Sequence, residues 1–520
     1  MSGFVDRALE LTSSNAPWCR KLWRAGTVEL AREFLEECRL SDISQSSLRN
    51  QIGYLTLSIK KDPGAKPYSS ILIPKLEAIK CGLDENGHMY GELETHIEKM
   101  ESDYFKNWIK AIEKNEGVDP DSAARKLISH IMYLGMHKGS IHAWLKSIRR
   151  RDESYSIEDF LKEVEVKCKS PKREYEFCVP VIKQPYFLKH DNSPPGWLSV
   201  TETKEWKKQN VPDLDSVRHQ GSFMIRVYAL DVNSAANLAR EKISKIRTKF
   251  EVSAKMNIEV SSTMWSRQKK SKFPTKSTNR ELSMTAFESA DMVSDLELPG
   301  SVGNIISLIE PMRGSDPHTA VTCGWSIIES LFTGDEDESN SIASERFSRI
   351  VAASMVRAEF TRLAKEYASS NDDSISSDID SCKCNLERAK IMYGALSSGV
   401  QCLVSDRRDQ LAALRMGEVI ENPKAFFDRT SKILSYEFRR LYRKRNMVAH
   451  AGQVAEANLH SVAETLTPLV GAGVDAALRA KLKYGIESLK LSGIVEARGK
   501  YLSKESRDGG GNILDILEFA

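Results

Sequence analysis

Three residues near the C-terminal end of the chain have the types and the spacing needed for acid–base chemistry on a phosphate ester. Arg445, Asn446 and His450 lie in the stretch Arg-Asn-Met-Val-Ala-His. An arginine guanidinium is a fixed bidentate donor for phosphate oxygens. A histidine exchanges protons near neutral pH, and such help is worth on the order of 10²–10⁴-fold in rate. Asn446 could hydrogen-bond a sugar or phosphate, or hold His450 in one tautomer, so the stretch is a candidate catalytic site.

Apolar residues upstream predict a long amphipathic helix that carries this stretch. Phe427, Leu434, Phe438 and Leu441 follow one another at spacings of seven, four and three, which is typical of one buried helical face. Arg445 comes four residues after Leu441, so it continues this face. A guanidinium in that position needs a partner, a ligand or a polar cleft.

His450 lies five residues beyond Arg445, too far round an ideal helix for the two side chains to share a face. They can converge only if the helix bends or ends just before His450, and Gly452 is a residue type that ends helices. The same Arg-to-His spacing occurs at Arg125 and His130, on a predicted helix where both residues are most simply at the surface.

Two stretches resemble motifs of the HEPN superfamily of small helical domains, many of which are RNases, and in particular its ApeA-like branch. One is residues 445–450, which is similar to the family's Arg-polar-x-x-x-His motif. The other is residues 324–331, Gly-Trp-Ser-Ile-Ile-Glu-Ser-Leu, which is similar to the family's early helix with its aromatic residue and a Glu shortly after it. With the helices between them, the resemblance covers residues 300–485.

The resemblance implies a metal-independent endoribonuclease that uses no cofactor. In such a reaction the RNA 2′-hydroxyl attacks the adjacent phosphate, and two copies of the site meet across a homodimer. Glu329 is either a surface residue or the partner that orients Arg445. We also reason that a purely structural helix gains nothing from an arginine on its buried face. The predicted catalytic residues are Arg445, Asn446, His450 and Glu329, and the predicted RNA-binding residues are Arg443, Lys444, Lys269, Lys270 and Lys272.

The composition is that of an ordinary soluble globular protein. Hydrophobic residues make up 41% of the 520 residues and charged residues 28%, and the formal net charge is +3, so nucleic-acid binding would have to come from local patches. We find no apolar run long enough for a membrane span and no signal-type apolar core after Met1. Nine scattered cysteines suit reduced thiols in a cytoplasm, and Cys382 and Cys384 have no matching Cys or His pair at a zinc-like spacing.

The order of predicted elements indicates a mainly α protein with a small α/β module in the middle. We expect a helical domain over 1–170, the α/β module with a basic loop over 171–290, a HEPN-like helical bundle over 300–490 and a tail over 491–520. The module would contain strands near 175–182, 223–229 and 257–260 and a helix over 231–250. The Ser- and Asp-rich stretch 369–381 is predicted to be disordered or a long excursion.

A basic stretch follows the module's last predicted strand. It reads either as a flexible loop or as an arm that guides RNA, because clustered Lys and Arg release counterions when they bind phosphates. Its basic residues are Arg267, Lys269, Lys270, Lys272, Lys276 and Arg280.

Three functional hypotheses follow. The first is a cytoplasmic endoribonuclease of toxin or antiviral-defence type, as in abortive infection, with RNA as substrate and a regulatory protein or nucleic acid as possible partner. The second is a HEPN-type domain that binds RNA or a nucleotide, or only dimerises, without cleaving. The third is an interaction scaffold whose N-terminal half is the active part.

Overall fold

The computed structural model of the chain describes residues 2–39, 45–114, 119–150, 155–183, 194–254, 257–276, 280–282, 284–287, 300–314, 316–337, 339, 341–450, 456–502 and 512–519. Within them the protein is mainly α-helical and has one small antiparallel sheet. Among the helices of these ranges, none combines the length and the apolar character that a membrane span needs.

The N-terminal part is helical, as predicted. Its helices are α1 Ser2–Thr12, α2 Thr27–Cys38, α3 Gln45–Lys61, α4 Ser69–Ala78, α5 His88–Glu113 and α6 Pro120–Tyr133. Two short 3₁₀ turns, Trp18–Arg20 and Lys66–Tyr68, lie between them.

The middle part contains four helices and all the strands of the described residues. They are α7 Lys138–Arg149, α8 Ile157–Lys169, β1 Arg173–Lys183, β2 Trp197–Leu198, α9 Val200–Asn210, β3 Ser222–Ala229, α10 Val232–Ala254, β4 Glu259–Val260, β5 Thr263–Ser266 and β6 Ser271–Pro274. Strands β1, β3 and β4 and helix α10 fall where the sequence predicts them.

The C-terminal part is again helical. Its helices are α11 Gly300–Arg313, α12 Pro317–Phe332, α13 Ser341–Ser370, α14 Ser374–Ser381, α15 Asn385–Ser397, α16 Arg407–Glu421, α17 Pro423–His450, α18 Glu456–Tyr484 and α19 Ser488–Lys500. A 3₁₀ turn at Ile513–Leu517 follows, and its apolar side chains are buried.

The chain forms two compact units whose limits differ from the four predicted segments. The first comprises Met1–His130 and Arg280–Ala520, and the second comprises Ile131–Asn279. Buried ion pairs join the N-terminal and C-terminal helices of the first unit. The guanidinium of Arg20 binds Glu359 at 2.8 Å through Nε and Asp409 at 2.5 Å through Nη1. Partners this far apart in the chain leave no local pattern, which is why the sequence suggested separate domains.

Helix α13 is the centre of the first unit. It contacts α12, α15, α17 and α18. Four consecutive residues, Ile350 to Ala353, are buried, as expected for a helix enclosed on all sides. Helix α18 approaches α13 closely at Gly473, where a Cβ would overlap the ring of Phe347. The core of this unit therefore depends on small residues as well as large ones.

The stretch 369–381, predicted to be disordered or a long excursion, contains helix α14, so the first of these alternatives is wrong. The Asp373 side chain caps α14 by accepting a hydrogen bond of 2.8 Å from the Ser376 backbone N–H. Ile379 of α14 is buried, which anchors the helix. A Ser- and Asp-rich composition is typical of disordered segments. The same residue types are also frequent at helix caps, so composition alone did not separate the two cases.

The sheet of the second unit has the strand order β2-β3-β1-β5-β6, and β4 also pairs with β1. Every pairing among these strands is antiparallel. Helix α10 packs on one face, where Ala235, Ala239 and Ile243 meet Phe177 and Ile225. The basic stretch that begins at Arg267 contains the turn of the β5–β6 hairpin and strand β6, so this part of it is not a flexible loop.

Candidate active site

Helix α17 has the buried face that the sequence predicts. Phe427, Leu434, Phe438 and Leu441 are all buried. Asn422 precedes the helix and its side chain accepts a hydrogen bond of 3.2 Å from the Ala425 backbone N–H. Pro423 takes the first helical position, where its missing N–H has no cost. The helix then runs without a break to His450, so it carries the whole candidate motif.

Arg445 lies near the end of α17 and is only partly buried, with 28% of its side chain exposed. Its Nη1 donates a 3.0 Å hydrogen bond to Asn446 Oδ1. Its Nη2 lies 3.4 Å from Glu329 Oε2 on α12. Of the two roles considered for Glu329, the structure shows the ion pair with Arg445. A partly exposed pair of this kind adds little stability, about 0–1 kcal/mol, so its main effect is to orient the guanidinium.

The two stretches that carry the family resemblance lie side by side in the structure. The rings of Trp325 on α12 and Tyr442 on α17 have centroids 4.7 Å apart. One turn further along both helices come Glu329 and Arg445. Both contacts advance in the same direction, so the two helices run parallel here. The contact between the two rings fixes how far one helix is shifted along the other, and this brings Glu329 next to Arg445.

His450 is the last residue of α17, and its side chain lies outside the described residues, as do residues 451–455. The predicted convergence of Arg445 and His450 therefore falls outside what the structure describes. Asn446 is half-buried and engaged with Arg445 rather than facing away from it. The structure thus brings together Arg445, Asn446 and Glu329 from the predicted catalytic set.

A buried layer of opposite charges joins α2 to the segment just before Arg445. Arg440 is fully buried, and its guanidinium binds Glu29 and Glu33, each at 2.8 Å. Glu437, on the same helix as Arg440, lies 3.5 Å from it and accepts a 2.7 Å hydrogen bond from the Tyr54 hydroxyl. The reasoning that a structural helix gains nothing from a buried arginine is therefore wrong for this helix. Arg440 neutralises carboxylates that α2 and α17 bury together.

Burial and the neighbouring cations act in opposite directions on these carboxyls. Burial raises the pKa of Glu29 and of Glu437, and the attraction of Arg440 only partly offsets it. For Glu33 burial also acts upward, but Arg440 and Lys444 outweigh it and lower the pKa. Among these three carboxyls, Glu33 is the one for which the neighbouring cations outweigh the cost of burial and favour the charged form.

Two of the residues predicted to bind RNA belong to this buried layer. Arg443 is buried and its Nε lies 2.9 Å from Glu37 Oε2. Lys444 is fully buried, with Nζ 3.6–3.8 Å from carboxylates of α2. Side chains in these positions cannot contact RNA unless α2 moves away. The RNA-binding role expected of this pair is therefore corrected: their positive charge is matched by Glu33, Glu36 and Glu37.

This layer of buried charges was not predicted from the sequence, although the spacing of the glutamates on α2 was a signal for it. Glu29, Glu33 and Glu37 recur every four residues on α2 and so share one helical face. Such a face is normally solvated, and the matching cations of α17 lie far along the chain. The pairing became visible only with the fold.

The remaining predicted RNA-binding residues lie in the second unit, in and beside the turn of the β5–β6 hairpin. Lys269 and Lys270 are exposed, and Lys270 has a φ of 49°. Lys272 is half-buried and forms a 2.7 Å ion pair with Asp215.

Within the described residues, no group of three or more His, Cys, Asp or Glu side chains is arranged to hold a metal ion. Cys382 donates a weak hydrogen bond to the Asp378 carbonyl, and Cys384 is exposed. The prediction that Arg125 and His130 lie at the surface is wrong, most clearly for His130. His130 is fully buried beside the Tyr104 ring at 3.9 Å, and burial lowers its pKa to about 3.

We compared the chain with known protein families, with curated proteins and with solved structures, and none of the three comparisons gave a match.

Proposed function

We propose that the protein is a metal-independent endoribonuclease whose C-terminal helices form a HEPN-like domain. The observation that carries the proposal is the Arg445–Glu329 ion pair, because it joins the two stretches in which the sequence resembles that superfamily. Arg445 is held in one orientation and still exposes part of its side chain. A guanidinium of this kind is suited to bind a phosphate from outside the chain.

In the proposed reaction the RNA 2′-hydroxyl loses its proton and its oxygen attacks the adjacent phosphorus. The bond to the 5′-oxygen breaks, and that oxygen takes up a proton. His450 exchanges protons in this scheme, and Arg445 binds the phosphate oxygens as their charge shifts in the transition state. Asn446 and Glu329 are positioning residues, since each binds the Arg445 guanidinium.

We propose a homodimer as the active form, because one Arg and one His provide few groups for binding a phosphate and transferring two protons. Two copies of α17 would give two of each in one cleft. The charge of Arg445 does not by itself require a second chain, since Glu329 of the same chain already meets it. The dimer therefore rests on the resemblance and on the chemistry.

An endoribonuclease of toxin or antiviral-defence type needs a restraint, and the N-terminal helices are suited to supply it. Carboxylates of α2 bind Arg440, Arg443 and Lys444, the last of which directly precedes Arg445. A partner protein or nucleic acid that displaced α2 would alter the end of α17. This is the place where we propose that a trigger acts.

The test is cleavage of a labelled RNA by the full chain in the presence of EDTA. We expect wild type to cut and His450→Ala and Arg445→Ala each to abolish cutting. Arg445→Lys should not restore it, because an ammonium lacks the planar fork that spans two phosphate oxygens. If wild type binds RNA and does not cut under any of these conditions, the alternative holds, a non-catalytic HEPN-type binding or dimerisation protein.

A further inference from the structure

In the part of the second unit that the structure describes, one face of the sheet is covered by a helix and the other is covered at one end. Helix α10 packs against Phe177 and Ile225 on the first face. On the other face, Trp206 of α9 packs with Cys178 and Trp265. The rest of this second face is lined mainly by polar residues, so it is not an apolar surface that needs to be buried.

Two arginines flank one carboxylate on this second face. Glu176 of β1 is opposite Arg226 of β3 in the strand register, and on its other side its carbonyl accepts a 3.2 Å hydrogen bond from the Arg267 backbone N–H. Glu176 Oε2 lies 3.0 Å from Arg226 Nε, and Oε1 lies 3.7 Å from Arg267 Nη1. One carboxylate cannot neutralise two guanidiniums. Both side chains are more than half exposed, at 64% and 58%.

An exposed aromatic ring stands beside these arginines. Tyr228 follows Arg226 by two residues on β3, so both side chains point to the same face of the sheet. Its side chain is 62% exposed, although tyrosine is a large side chain that a sheet could bury. Glu174 is opposite Tyr228 in the register and is also exposed. We call this region the open sheet face; it consists of Glu174, Glu176, Arg226, Tyr228, Arg267 and Lys272.

The hairpin that borders the open sheet face adds further positive charge. Lys269 and Lys270 form part of its turn and are exposed. Lys272 is opposite Trp265 in the register, which puts it on the open side, where Asp215 binds it. Among the described residues of this face and its hairpin, five cations therefore lie near three carboxylates, namely Arg226, Arg267, Lys269, Lys270 and Lys272 near Glu174, Glu176 and Asp215.

We propose that the open sheet face binds single-stranded RNA. An unpaired base would stack on Tyr228, and the flanking phosphates would contact Arg226, Arg267 and the hairpin lysines. Aromatic rings on a sheet stack with bases that are splayed out of a single strand, whereas a duplex keeps its base faces covered. The inference rests on the proposed function for the identity of the ligand as RNA, but not for any catalytic step.

The test measures binding of a fluorescein-labelled, 2′-O-methylated single-stranded RNA of about 12 nucleotides to the full chain in EDTA. This probe lacks the 2′-hydroxyl, so binding is read without cleavage. Tyr228→Ala should raise Kd about 5- to 100-fold, since stacking on one aromatic ring contributes that much. Tyr228→Phe should stay within about twofold of wild type, because stacking does not use the hydroxyl. Tyr501→Ala is the matched control, because Tyr501 is also an exposed tyrosine but lies in the first unit. This substitution should leave Kd unchanged.

Charge variants give a second, independent readout. Arg267→Gln and Lys270→Gln should each reduce the slope of log K against log salt by about 0.7, the contribution of one phosphate contact on a single strand. Glu174→Gln should tighten binding because it removes a negative charge beside Tyr228. Unchanged Kd and unchanged salt slope in Tyr228→Ala and Arg267→Gln would overturn the inference, as would equally tight binding of a matched duplex RNA. These results are separate from the nuclease proposal, which a cleavage assay decides.

Discussion

Arg445 of α17 and Glu329 of α12 form an ion pair with 3.4 Å between Nη2 and Oε2, one helical turn beyond the contact of Tyr442 with Trp325. Arg445 also binds the side chain of the next residue, Asn446. The guanidinium is thus held from two sides by residues of one chain. These two contacts fix its orientation within one chain.

Glu329→Gln should slow RNA cleavage by about 10- to 100-fold, because a misdirected guanidinium no longer meets the phosphate. The pair is partly exposed, so the free energy of unfolding should change by less than about 1 kcal/mol. The measurement is the initial rate on a labelled RNA together with a urea titration. Glu310→Gln, at an exposed position of α11, is the control. A Glu329→Gln chain that cuts at the wild-type rate would remove Glu329 from the site.

Arg440→Ala should destabilise the first unit by about 3–5 kcal/mol, because it leaves Glu29, Glu33 and Glu437 buried without their shared cation. Urea unfolding followed by far-UV circular dichroism measures the change. Arg429→Ala, also on α17, removes an exposed ion pair with Glu418 of α16 and should cost no more than about 1 kcal/mol. Equal effects of the two substitutions would contradict the structural role assigned to Arg440.

His130 should make the first unit less stable in acid. Its pKa is lowered to about 3 by burial, below the ordinary value of 6.5. Between these two pH values the unfolded chain binds more protons than the folded chain. The contribution of His130 to the free energy of unfolding therefore falls as the pH falls, by up to about 1.4 kcal/mol per pH unit, and is constant above pH 6.5. His130→Phe keeps a ring beside Tyr104 and Phe105 and has nothing to titrate. Its unfolding free energy should depend less steeply on pH between 4 and 6, and parallel curves would show that His130 is accessible to protons.

The buried face of α17 and the strands of the sheet could be predicted from the sequence, because helical and strand periodicities are local. The partners of Arg440, Arg443 and Lys444 could not, since charged residues at helical spacing usually indicate a solvated face. The sequence allowed Glu329 to be either a surface residue or the partner of Arg445, and only the packing of α12 on α17 distinguishes these two roles.

The full chain should form a homodimer with twice the mass of the 58.4 kDa protomer. The reason is the proposed chemistry: two copies of Arg445 and His450 would supply twice as many phosphate-binding and proton-transfer groups as one copy. Light scattering at micromolar concentration, with and without uncleavable RNA, measures the mass. A strict monomer in both conditions would rule out the shared cleft.

The central claim is that Arg445 and His450 promote attack of the RNA 2′-hydroxyl on its neighbouring phosphate. The most direct measurement is the 3′ end of the products made by the full chain in EDTA, from an RNA and from the same RNA with 2′-hydrogens. We predict a 2′,3′-cyclic phosphate or its hydrolysed form from the RNA, no cleavage of the deoxy substrate, and no product from His450→Ala. Efficient cutting of the deoxy substrate, or cutting that requires a divalent metal, would contradict the Arg445–His450 mechanism.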